Sequence, residues 1–141
     1  MIPRLPLVRL FSVLLVLVMA PTLAVATLKV ACVGDSITAG YALADPARDA
    51  YPAQLARLLG ADYEVRNFGV SAATLMDAGN YTYRTRPAHD EALAWRPDVV
   101  VIALGTNDTK VDNIAKHPED FVPSYRGLIG RFRAANPGAT I

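Results

Sequence analysis

Three short polar turns, each closing an apolar run, carry the residue types that could do chemistry. Gly34-Asp35-Ser36-Ile37-Thr38 follows Leu28–Val33 and delivers a serine, Asn67-Phe68-Gly69 leads into the small-residue turn Val70–Thr74, and Gly105-Thr106-Asn107-Asp108 ends the run from Asp98 to Leu104. Ser36, Gly69 and Asn107 thus offer a hydroxyl, a backbone N–H with no side chain in front of it, and a carboxamide donor. That set suits acyl transfer: a serine attacks a carbonyl carbon, and converging donors hold the charge that develops on its oxygen. The N–H of Ser36 itself, at the start of a helix, would be a further donor with some help from the helix dipole. Plainer readings stand beside these. Ser36 also suits a helix cap, and Asp35 and Asp108 suit loop-bracing acceptors of backbone hydrogen bonds better than an acid and a base.

The elements that must position these turns are legible as an alternation. Leu28–Val33 reads as a buried parallel strand, because a strand covered on both faces need not alternate. Tyr51–Gly60, with proline in its first turn and a terminal glycine, predicts a helix burying Tyr51, Leu55, Leu58 and Leu59. Tyr63–Phe68 alternates like a strand near a sheet edge. The stretches Tyr41–Asp49 and Asp77–Arg86 read as loops, Pro87–Trp95 as a helix, and Asp98–Leu104 as the strongest strand. Phe121, Tyr125, Leu128, Ile129 and Phe132 share one face of a helix running to about Ala135, and Ala139-Thr140-Ile141 begins a fourth strand. Strands with helices between them predict an α/β fold, a flavodoxin-like doubly wound parallel sheet in three α/β/α layers, truncated in strand four. In the order 2-1-3, the carboxyl ends of the first three strands meet, and ligands bind at that edge.

Composition narrows the function. The 141 residues are 52% hydrophobic and 19% charged, enough for one packed domain. Residues 1–26 read as a signal peptide: Arg4 and Arg9, an apolar run from Leu10 to Met19, and Ala24-Val25-Ala26 before a cut. The run is interrupted by Pro21 and is shorter than the ~20 residues of a spanning helix, so no stable membrane insertion is expected after cleavage. A secreted or periplasmic domain over residues 27–141 follows. Without Arg4 and Arg9, the 14 Lys and Arg fall to 12 against 13 Asp and Glu, which leaves no basic patch for nucleic acid. Cys32 is the single cysteine and reads as a buried apolar residue, so no internal disulfide is possible. No His, Cys and carboxylate cluster has ligand spacing, so neither metal nor cofactor is expected. A phosphohydrolase reading finds neither GxxxxGK[ST] nor GxGxxG.

The three turns resemble, in order and at plausible spacing, three sequence blocks of the SGNH (GDSL-type) hydrolases. The resemblance implies that Ser36 is the nucleophile and that Ser36, Gly69 and Asn107 form the oxyanion hole. It implies a serine esterase acting on a small-molecule or carbohydrate ester, with a short acyl or acetyl group. Tyr51-Pro52, Asn67–Ser71 and the aromatic loop Asn80–Tyr83 resemble members acting on acetylated sugars, such as sialate or xylan O-acetylesterase-like proteins. Ala72 stands where many relatives have glycine. The family's Asp-x-x-His is absent: His89 and His117 have Arg86 and Ile114 three residues earlier, and both read as solvated surface histidines. Truncation accounts for the missing base and predicts an inactive fragment. Two alternatives remain: a catalytically silent carbohydrate-binding module on the same fold, or a lysophospholipase- or thioesterase-type acyl hydrolase.

Overall fold

The computed structural model describes residues 26–141, so the expected signal segment, residues 1–26, lies outside the described residues except for Ala26. Strands β1 (Leu28–Gly34), β2 (Tyr63–Gly69) and β3 (Val99–Ala103) form a parallel sheet in the order β2-β1-β3. In register, Gly34 lies beside Gly69 on one side and Ala103 on the other, so the three turns leave the sheet at neighbouring points. Thr140 adds a parallel bridge to Val99 on the outer side of β3, where the fourth strand was expected.

Helices α1 (Ser36–Ala39), α2 (Pro46–Asp49) and α3 (Tyr51–Leu59) lie between β1 and β2 in the chain; α4 (Pro87–Trp95), α5 (Val111–Ile114) and α6 (Phe121–Ala135) follow β2 and β3. Side chains of successive strand residues point to opposite faces, and the sheet uses both. One face, carrying Ala31, Val33, Phe68 and Val100, packs with Ala92 of α4 and with Leu128 and Phe132 of α6 into the main core. Burying Leu128 and Phe132 contributes roughly 1.5–3 kcal/mol each. The opposite face holds Val30 and Cys32, both buried, beneath α1 and α3. Burial pushes the Cys32 thiol pKa up, partly offset by a hydrogen bond with Tyr51.

Several expectations need correction. Leu58 is 84% exposed instead of buried, and Tyr51, Leu55 and Leu59 are only half-buried, so that Pro52 is the one fully buried residue of α3. The Tyr41–Asp49 loop contains α2, capped by Asp45 and opened by Pro46. The Asp77–Arg86 segment is only partly a surface loop: Met76 before it and Tyr83 within it are buried, and Tyr83 Oη donates to Phe68 O at 2.8 Å. The strongest strand expected, β3, is also unevenly covered, with Val100 buried and Val101 37% exposed. His89 is no surface residue. It is 1% exposed, sits one turn from buried Ala92 on α4, and meets the Tyr83 ring edge-on at 6.1 Å.

Candidate active site

β1 ends at Gly34, where a Cβ would collide with the Thr38 side chain and stand 2.8 Å from Ala103 O. Only glycine lets the chain turn there against β3. Asp35 then caps α1: its Oδ1 accepts from Ile37 N at 2.9 Å, and its side chain is buried. This cap fixes the turn that presents Ser36, half-buried, at the first helical position. The Ser36 N–H has no hydrogen-bond partner among the described residues, as expected for an orphan donor of a first helical turn.

The second turn departs from the sequence expectation. Gly69 N–H donates to Asn67 Oδ1 at 2.9 Å, while Asn67 Nδ2 donates to Thr38 O at 2.7 Å. A Cβ on Gly69 would run into the Ala39 backbone. Gly69 therefore serves close packing of β2 against α1, and its amide is already occupied. Ser71 and Ala72, two and three positions on, line the cleft instead. Ala72 has φ 65°, a left-handed conformation that costs an L-residue roughly 1–2 kcal/mol, and its N–H has no partner among the described residues. The signal was present in the sequence as an alanine at a position where a glycine is usual.

The third turn is the most firmly braced. Asn107 Nδ2 donates to Ala73 O at 3.0 Å, and the Asp108 carboxylate accepts from Leu75 N at 2.8 Å and Met76 N at 2.7 Å. The second and third turns are thereby tied by three hydrogen bonds. Asn113, unmarked in the sequence, is buried beneath them: its Nδ2 donates to Asn107 O at 3.0 Å, and its Oδ1 accepts from Asn80 N at 2.9 Å. The aromatic loop is held in turn, with Thr74 N donating to Tyr81 O and Tyr83 N to Thr74 O. Tyr83 is inside and offers no face to a sugar, whereas Tyr81 is 40% exposed with the Arg86 guanidinium 4.1 Å over its ring.

Ser36, Tyr41, Ser71, Ala72, Asn107 and Lys110 line one open cleft of about 270 Å³ at this sheet edge. A larger groove, of about 340 Å³, lies between α2, α3 and β2 and holds no nucleophile. Neither His89 nor His117 lines the cleft. His89 Nδ1 is 2.8 Å from Asp90 Oδ1 on its own helix. Among the described residues, no three His, Cys, Asp or Glu side chains gather as a metal site. No described helix is long and apolar enough to cross a membrane.

Residues 32–141 match the GDSL-like lipase/acylhydrolase family. An 86-residue stretch, 61% of the chain, is 51% identical to an acetylxylan esterase of Xylanibacter ruminicola and covers 18% of that protein. Among solved structures, Est24, a carbohydrate acetylesterase from Sinorhizobium meliloti, superposes with a TM-score of 0.65 at 28% identity, over 79% of this chain and 57% of that one. A family two carbohydrate esterase from Clostridium thermocellum, solved in complex with cellohexaose, gives a TM-score of 0.62 at 26% identity, over 86% of this chain and 43% of that one. The chain spans less than two thirds of the length of each of these relatives. With its sheet order, its three turns and a match running from Cys32 to Ile141, the chain belongs to the GDSL-like lipase/acylhydrolase (SGNH) family.

Proposed function

We propose that this chain carries the nucleophile and oxyanion hole of an exported serine esterase that removes a short acyl group, acetyl foremost, from a carbohydrate. The observation that supports this best is the convergence of Ser36, Ala72 and Asn107 on one cleft, although they come from three separate strand ends. Ser36 Oγ attacks the ester carbonyl. The N–H groups of Ser36 and Ala72 and the second N–H of Asn107 Nδ2 receive the developing oxyanion, in place of the Gly69 amide. The cleft of about 270 Å³ has room for a small acyl group beside Ser36. The carbohydrate esterases among the relatives point the same way.

A serine hydroxyl needs a base, and no histidine among the described residues lines the cleft. We infer that the base is a residue other than those that line the cleft here. The test is hydrolysis of p-nitrophenyl acetate by the full-length protein beside Ser36→Ala and beside residues 27–141 alone. Full-length turnover should depend on Ser36, and the short form should retain only the ~10³–10⁴-fold acceleration that binding and an oxyanion hole supply. Turnover unchanged in Ser36→Ala overturns the nucleophile, and equal turnover by the short form overturns the missing base. The absence of a histidine from the cleft wall also favours a second reading, a silent carbohydrate-binding module. Sugar binding with no Ser36-dependent turnover in the full-length protein would select it. Export predicts a mature protein beginning at Thr27, which mass spectrometry of the extracytoplasmic fraction would show.

A further inference from the structure

We propose that Lys110 gives the cleft a preference for esters whose alcohol part carries a carboxylate, as an acylated uronic acid does. This rests on the esterase reading above and names its substrate class. Lys110 is the one charged residue in the cleft wall, beside Ser36 and Asn107. The other described lysines have partners: Lys116 Nζ is 3.5 Å from Asp112, and Lys29 Nζ donates to Trp95 O at 3.2 Å. Lys110 makes no ion pair or side-chain hydrogen bond among the described residues. The two acids nearest in sequence to the catalytic turns do not neutralise it, because Asp35 and Asp108 are each 1% exposed and accept from backbone N–H groups of their own loops. The cleft therefore presents a lone positive charge.

Its backbone is held while its side chain is free. Lys110 O accepts from Asn113 N at 2.9 Å and from Ile114 N at 3.2 Å, which anchors the residue between the Asn107 turn and α5. A single ammonium on a flexible stem matches one monoanionic group, and Lys110 has no second cation beside it in the cleft wall to clamp a phosphate. Tyr41, 77% exposed at the rim, offers a ring face and a hydroxyl to a sugar. A carboxylate on a pyranose ring is an anion that satisfies both conditions.

The experiment measures binding of methyl glucuronide and methyl glucoside to the full-length protein by NMR titration. Neither ligand is an ester, so the result does not depend on turnover, and failure of the esterase reading would show separately in the Ser36→Ala assay. The glucuronide should bind about fivefold tighter, the size expected of a well-placed but solvent-exposed ion pair, and the preference should shrink with salt. Lys110→Gln should bring the ratio to about one and Lys110→Arg should retain it. Equal binding of the two glycosides, a preference that survives Lys110→Gln, or no binding of either overturns the proposal.

Discussion

Asn107 Nδ2 donates to Ala73 O at 3.0 Å, so a side chain at the end of β3 is oriented by the backbone of the turn after β2. One N–H of the carboxamide is spent on this bond and sets the plane of the group. The other is left for the cleft that Asn107 lines. Preorganisation of this kind is what makes a donor effective, because it is already aimed when charge appears.

Replacing Asn107 tests that arrangement. Asn107→Ala in the full-length protein should lose about 2.7–4 kcal/mol of transition-state stabilisation, expressed mainly in kcat, as expected for the proposed oxyanion donor. Steady-state kinetics on p-nitrophenyl acetate give the number. A change confined to KM would mean that Asn107 binds substrate without serving the oxyanion.

Asp108 should matter to stability more than to chemistry. Its two oxygens accept from two buried N–H groups, and removing them leaves both donors without a partner. Asp108→Ala should cost about 3 kcal/mol of folding stability, given roughly 1–3 kcal/mol for each orphaned buried group. Urea unfolding measures it. A loss below about 1 kcal/mol would mean that water reaches those amides and that the brace is not tight.

The contrast between residues 69 and 72 gives a paired prediction. Gly69→Ala puts a methyl group against the backbone of Ala39, which cannot yield as a flexible side chain would, so stability should fall by roughly 1–3 kcal/mol. Ala72→Gly relieves a φ of 65° and should be neutral or stabilising by up to about 1 kcal/mol, since strain relief of ~1–2 kcal/mol exceeds the added freedom of the unfolded chain. The oxyanion donor proposed at 72 is a backbone N–H, so turnover should survive that change. Thermal melts and kcat of the two variants decide it, and a destabilised Ala72→Gly would refute the strain argument.

Much of this was legible in the sequence because apolar runs and terminal glycines report on local geometry. β1, α3, β2, α4, β3 and α6 were placed to within a residue or two, and the order β2-β1-β3 is that of the flavodoxin-like sheet expected from the sequence. What escaped depends on tertiary partners. Whether an amide such as Gly69 N–H is free depends on Asn67 folding back onto it, which spacing does not encode. His89 looks polar in the sequence, yet α4 turns it inward beside Ala92. Asn113 carries no motif, and its role arises only when α5 folds under the third turn. Leu58 shows the opposite failure, an apolar residue in helical register for which the short α3 provides no cover.

The last prediction concerns alkaline pH. Burial pushes the Tyr51 hydroxyl up to about 12 from an ordinary 10.0, against the lowering effect of its hydrogen bond with Thr38. Burial also pushes Tyr83 well above the ordinary tyrosine value and raises Cys32 from 9.0. All three groups are neutral when protonated, so the folded state holds these protons more tightly than the unfolded chain does. By linkage, stability is fully present below the unfolded pKa values and falls as pH rises through the raised ones. The loss should begin near the ordinary cysteine value of 9.0 and steepen from 10.0 towards about 12 as the tyrosines are forced to ionise. Tyr51→Phe keeps the ring and deletes the proton, so its melting temperature should decline less steeply between about pH 9 and about pH 11 than that of the unmodified protein. Melting curves across that range, followed by tyrosinate absorbance, provide the comparison. Parallel declines in the two proteins would mean that Tyr51 ionises in the folded state as readily as in water, and that its burial against Thr38 and Cys32 is not maintained in solution.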